Sequence, residues 1–361
     1  MKRTRYLVRA AAAVAALSLA ATSCSSSSST GTTTPSSGAL HGTAAVAYAG
    51  SLVKLYNDTL GPAFAKATGD HFGGPPGAGS TALAQEILSD EISPGVFMAV
   101  GSKPIQLLWP ARSKFALSLG TDPLVVAFSS KSLYAKQLSE IASGKLPLKN
   151  LYGLLATPGF RLGRTDPSQD PQGAFFILMM KLAQAQLSLA AGEADKALGI
   201  TSSAPFGSKS QILDETALPT DISTGVVDAG SEYLSQALQY HLDYIALPAD
   251  LNFATPADTS IYATVSIPVA GTPFQGKLIS LEVTLVSPPK GQSVTAANQA
   301  ADDAFVAFLL STAGRSILSS SGYKLGTPTI ELAAGSSSAS EVLPAAILAP
   351  FEALKGVTKT S

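Results

Sequence analysis

An α/β fold is what this sequence predicts, and three observations predict it. Short apolar runs with strand character at residues 44–49, 96–100, 124–128 and 278–286 alternate with stretches whose apolar residues recur at helical spacing. Gly- and Ser-rich turns separate the two kinds of segment, as they do where strands feed helices in a layered fold. Of the 361 residues, 46% are hydrophobic and only 14% charged, which is ample material for buried layers. The alternation predicts mostly parallel sheets, and the body of the chain suits about two domains of roughly 100–200 residues each.

The N-terminus reads differently. Lys2, Arg3, Arg5 and Arg9 precede an apolar run at residues 10–21, the build of an export signal. That run is shorter than the ~18–20 residues that span a bilayer. It ends in Leu19-Ala20-Ala21-Thr22-Ser23-Cys24, which resembles the lipobox of bacterial lipoproteins, with Ala21 where Leu is preferred. The resemblance implies lipidation at Cys24, the only Cys and therefore unable to form an internal disulfide. Residues 1–24 are thus expected to be a lipoprotein signal peptide and residues 25–42 a flexible Ser/Thr-rich tether. A soluble body anchored to the outer face of the cell membrane is the consequence.

Composition excludes several classes. A net charge of −1 and the lack of a Lys/Arg cluster beyond the N-terminus argue against a nucleic-acid partner. There is no Gly-x-Ser-x-Gly elbow, and His41, His71 and His241 are the sole histidines, so a hydrolase and a zinc site find no support.

Taken in order, the strand at 44–49 is closed by Gly50-Ser51-Leu52 and followed by a helical pattern up to Gly69-Asp70. A second Gly-rich loop, residues 73–81, opens a helix at 82–89 and sets Ser80 near its N-terminus. This loop lacks the third Gly of a dinucleotide fingerprint. Ser51 and Ser80 are placed to meet on one ligand, although Ser is also among the commonest turn and cap residues. The stretch Arg164-Thr165-Asp166-Pro167-Ser168-Gln169-Asp170-Pro171-Gln172-Gly173 then feeds an apolar helix at 174–191. Asp170 is a good N-cap, Pro171 suits the first turn, and the unpartnered N–H groups of that turn favour an anion. An ordinary capped helix is the rival reading. Residues 226–233 form a short strand running into a turn and then a helix, 243–248 a further strand, and 296–310 an amphipathic helix. The tail, 336–361, is Ala/Ser-rich with one possible helix.

Several of these pieces, in this order, resemble the tungstate/molybdate-binding proteins of ABC importers, extracellular solute-binding proteins with two α/β lobes. The resemblance rests on Ala49-Gly50-Ser51-Leu52, Gly79-Ser80, Asp166-Pro167, Asp170-Pro171-Gln172-Gly173 and residues 228–233. It continues through Leu247-Pro248-Ala249-Asp250-Leu251-Asn252, Phe305-Val306-Ala307-Phe308-Leu309-Leu310, Gly314-Arg315 and Gly322, covering about residues 44–325. It implies a type II periplasmic-binding-protein-like fold with a ligand cleft between lobes. The first lobe would comprise 43–123 and 278–335, the second 124–277, with 336–361 as a C-terminal tail. It further implies oxyanion contacts from Ser51, Ser80, Asp170, Gly173, Ala174 and Glu232. Asp170 and Glu232 would complete the coordination shell of the tungsten or molybdenum. No cofactor beyond that ligand, a monomer, and an ABC permease as partner are implied as well. The sequence departs from the family at Gly95, at Ala174-Phe175 and at Val100-Gly101-Ser102, where an acid, a Tyr-Arg pair and an acid-bearing segment are usual. Phosphate or sulfate in the same fold, and a sensing lipoprotein without a transport role, are the alternatives.

Overall fold

The computed structural model describes residues 41–356. The export signal, Cys24 and the tether up to residue 40 lie outside the described residues. In chain order the strands are β1 (Thr43–Tyr48), β2 (His71–Gly73), β3 (Val96–Val100), β4 (Phe115–Thr121), β5 (Leu124–Phe128) and β6 (Leu162–Gly163). They continue as β7 (Ala229–Tyr233), β8 (Asp243–Ala246), β9 (Ser266–Val269), β10 (Thr272–Gln275), β11 (Ser280–Leu285) and β12 (Thr329–Leu332). One sheet has the order β12-β4-β11-β3-β1-β2, a second the order β6-β7-β5-β8, and β9 pairs with β10 as a hairpin. We call the bodies built on the two larger sheets the first and second lobe.

The sheet centres follow from composition. Val-Phe-Met-Ala-Val in β3 and Leu-Val-Val-Ala-Phe in β5 are buried at every position, as expected of strands covered on both faces. Helix Ala296–Leu310 packs on β1 and places Phe305 among Tyr56, Phe64 and Phe72, with ring centroids 5.9, 5.2 and 5.5 Å away. Helix Ala345–Gly356 packs in turn on Ala296–Leu310, burying Ile347 and Phe351, so the Ala/Ser-rich tail contributes to the first lobe's core.

The expectation of mostly parallel sheets is corrected. Only β1-β2, β1-β3 and β6-β7 pair in parallel among the described strands; the other pairings are antiparallel. Alternation of strand and helix implies parallel pairing only while each crossover returns to the same sheet. Here β4 passes directly through Asp122-Pro123 into β5 of the other sheet, and β11 comes back to lie between β3 and β4, antiparallel to both. β4, β12 and the β9-β10 hairpin also escape the sequence reading, since the hairpin carries Pro268 and Pro273 and β12 is short and half polar.

The two crossings lie side by side. Asp122 donates its N–H to the carbonyl of Ile279 (2.9 Å), and Ile279 donates to Phe253 (2.7 Å), while Thr121 Oγ1 donates to Ala254 O (2.8 Å). A pair of short, adjacent, hydrogen-bonded strands is the geometry of a hinge. Asp122 is buried at this point and accepts the N–H of Ser235 (3.1 Å). Burial raises its carboxyl from 3.8 to about 7, against the hydrogen bonds that favour the charged form.

Two outcomes follow. Phe305→Ala removes the centre of the aromatic cluster and is expected to cost about 3–5 kcal/mol in urea unfolding. Asp122 stabilises the folded chain fully only below its ordinary ionisation range, and that contribution is lost as pH rises from about 4 to 7. Asp122→Asn, which keeps the acceptor for Ser235, is therefore expected to lessen the decline in unfolding free energy across that window, by at most about 4 kcal/mol at pH 8.

Candidate functional site

The first lobe presents backbone donors. After β1 the chain turns at Ala49 and enters an unbroken helical run over residues 50–68, whose first N–H groups have no helical partner. Ser51 is buried there, with its Oγ unpartnered in the protein. Ser80 is the first residue of helix Ser80–Leu88 and is fully buried. Its Oγ accepts the N–H of Val100 (3.1 Å), tying the Gly-rich loop to the end of β3. A Cβ on the preceding Gly79 would lie 2.5 Å from the carbonyl O of Gln169 and 3.3 Å from Asp170 Cβ. Only glycine permits this approach of the lobes.

The second lobe presents acids. Asp166 accepts the N–H (2.9 Å) and Oγ (2.7 Å) of Ser168, and its carbonyl takes the N–H groups of Gln169 and Asp170, folding the Asp-Pro stretch into a tight turn. Asp170 then caps helix Pro171–Gln186, Oδ1 accepting the N–H of Gln172 (3.2 Å), while Oδ2 is buried without a partner. The Thr165 hydroxyl beside Asp170 favours its charged form. Burial raises its carboxyl from 3.8 to about 6.

β7 is the anomaly of the core. Ala-Gly-Ser-Glu-Tyr is buried at all five positions, with Ser231 and Glu232 completely so. Burial drives the proton affinity of Glu232 well above the usual range, and the neighbouring Gln172 side chain opposes that shift only in part. Gln172 is held by Gln236 through Nε2 (2.9 Å), leaving its own Oε1 unpartnered.

Of the residues singled out from sequence, Asp170 and Glu232 are near enough to feel one another's charge, Ser51 donates its N–H to Glu215, and Ser80 is one residue from the Gly79 contact. Gly173 presses on Thr165, whose carbonyl O would lie 2.2 Å from a Cβ there, and the Ala174 methyl is in the apolar core. These two offer backbone only.

One acid was missed. Glu215 is buried and accepts the N–H of Ser51 at 2.8 Å through Oε1 and that of Gly50 at 3.1 Å through Oε2. Burial first, and then the charge of Asp170, hold its carboxyl well above the ordinary carboxylate range; Glu232 adds to this. A lone Glu between Asp214 and Thr216, just ahead of a helix, carries no sequence signal beyond that of an ordinary helix start. A cleft of about 320 Å³ opens beside it, lined by Gly79, Thr165, Asp170 and Glu215 among others.

The chemistry is that of capture. The hydroxyls of Ser51, Thr165 and Ser235 lie beside the buried carboxyl groups of Glu215, Asp170 and Asp122 and favour their charged forms, while Ser231 Oγ and Tyr233 OH are buried without a protein partner. Each unmet buried polar group costs about 1–3 kcal/mol. Among the described residues no group of three His, Cys, Asp or Glu is arranged to hold a metal ion directly.

Comparison with known proteins agrees with this reading of the fold. The chain is 29% identical to the molybdate/tungstate-binding protein WtpA of Pyrococcus abyssi over 62% of its own length and 66% of that protein's. It is 28% identical to the WtpA of Thermococcus kodakarensis over 59% and 60% of the two chains, so the match spans under two thirds of either relative. The Azotobacter vinelandii periplasmic molybdate-binding protein superposes over 79% of this chain and 100% of its own with a TM-score of 0.51 at 17% identity, a likeness of fold. That fold is the two-lobed type II periplasmic-binding-protein architecture. The bacterial extracellular solute-binding protein family matches residues 44–324, most of the chain, and the protein belongs to that family.

Proposed function

We propose that the protein is the solute-binding component of an ABC importer and captures molybdate or tungstate between its lobes. The observation that carries this reading is the pair of buried acids, Asp170 and Glu232, close enough to feel one another's charge and that of Glu215, which holds the N–H groups of Gly50 and Ser51. A carboxylate repels a dianion unless it is protonated or its oxygen bonds the central atom. Tungsten and molybdenum in a tetrahedral oxyanion accept additional oxygen ligands, whereas sulfur in sulfate does not. Two acids in an anion site therefore select for an expandable centre. The names of the two relatives support the same choice of ligand.

In this reading the Ser51 and Ser80 region supplies donors to the oxyanion's oxygens, and the start of helix Pro171–Gln186 adds favourable dipole. Lobes at 43–123 with 278–335, and at 124–277, rotate about the paired crossings near Asp122 and Ile279. Closure around the ligand is what the permease reads. Lipidation at Cys24 holds the monomeric body at the outer face of the membrane.

A second oxyanion reading has its own support. Since burial raises Asp170 to about 6 and Glu232 well above its usual range, the acids are able to act as neutral donors to phosphate or sulfate. Calorimetry of the exported chain against molybdate, tungstate, sulfate and phosphate separates the two. Expected are tight binding of molybdate and tungstate and exclusion of sulfate. Asp170→Ala and Glu232→Ala are each expected to lose on the order of 100-fold in affinity, about 2.8 kcal/mol. Retained affinity in both variants, or a preference for phosphate, would sink the expanded-shell reading. Gly79→Val, which sets a side chain against Gln169, is expected to weaken every oxyanion alike by opposing closure.

A further inference from the structure

Glu215 does something the binding of an oxyanion does not call for. Its two oxygens sit on the N–H groups of Gly50 and Ser51, at 3.1 and 2.8 Å, where the helical run after β1 begins. Gly50 shares its N–H with the carbonyl of Ala78 (2.9 Å), so Ser51 is the donor committed to the acid alone. A Cβ on Gly50 would stand 2.5 Å from Glu215 Oε2, so this contact depends on glycine. The acid comes from the second lobe, and the donors from the first.

The segment that carries Glu215 is anchored on both sides. Arg164 donates its N–H to Gln211 O (2.8 Å), and Leu213 donates to Arg164 O (2.9 Å), fastening the approach to the Asp-Pro stretch. Beyond it, Asp214 Oδ1 accepts the N–H of Thr216 (2.8 Å), and its carbonyl accepts the N–H groups of Ala217 and Leu218, starting helix Leu218–Thr224. The carboxyl group is thus fixed to the second lobe and moves with it.

We propose that Glu215 is a built-in acceptor that latches the two lobes through the Gly50 and Ser51 N–H pair, and that a ligand using those donors must first displace it. The competitor half of this proposal rests on the oxyanion reading above; the latch half does not. Opening of the lobes withdraws Glu215 and bares the donors. A ligand that settles on them turns the acid from partner into obstacle, since a carboxylate and an oxyanion cannot share the same two N–H groups. Weak, singly charged anions compete poorly against a tethered carboxyl at high local concentration. Glu215 accordingly sets a threshold, admitting ligands whose other contacts with Asp170 and Glu232 repay its displacement.

Hydrogen exchange and calorimetry on the exported chain test the two halves together, with Glu215→Ala and Glu215→Gln beside the parent. The latch predicts that exchange of the peptide holding Gly50 and Ser51 accelerates at least tenfold in Glu215→Ala with no ligand added, and less in Glu215→Gln, which keeps an acceptor. The competitor half predicts that molybdate binds about tenfold tighter to Glu215→Ala, and that discrimination against sulfate narrows. Unchanged exchange in a folded Glu215→Ala overturns the proposal. Accelerated exchange with weakened molybdate binding also overturns it, because Glu215 would then be a ligand contact. If exchange accelerates while neither parent nor variant binds any of the four oxyanions, the latch is supported and the preceding assignment of the ligand falls.

Discussion

Carboxyl groups that have been taken out of water set the terms for this molecule. Asp170, Glu215 and Glu232 are buried near one another, and burial is the leading reason each holds its proton more tightly than a free acid. Such groups are tolerated only where something answers them. Asp170 spends one oxygen on a helix cap, Glu215 spends both on backbone N–H groups of the other lobe, and Glu232 is met only by the Gln172 side chain. The three acids thus differ in how far the protein answers them.

The remainder of the fold serves to bring those acids opposite the donors. Two sheets with apolar centres make rigid bodies, and only the short crossings near Asp122 and Ile279 and the elements around them join the polypeptide between them. Glycines mark where the bodies touch. Gly79 lets the first lobe reach Gln169, and Gly50 lets Glu215 reach its N–H pair. Both lie just ahead of helical segments; Gly50 is buried, and Gly79 lines the cleft.

Much of this was legible from residues alone because the relevant signals are local. The Asp-Pro stretch announces a turn and a cap, and Asp170 is found capping. The apolar runs of β1, β3, β5 and β11 are strands, and residues 296–310 are a helix. Pairing direction was not legible, since nothing in β4 or β11 records which sheet the next segment joins. Glu215 was not legible either. Its partners are more than 160 residues away, and the segment around it reads as an ordinary helix start.

What the sequence by itself determined was the class of the fold, the places where strands give way to helices, and the cap at Asp170. Those properties follow from periodicity and from capping chemistry, which act within a few residues. Only the tertiary structure decided that Asp170 and Glu232 are buried near one another, that Asp170 caps its helix with one oxygen, and that a third acid crosses between the lobes. These depend on desolvation and on the meeting of distant backbone, neither of which is written at any single position.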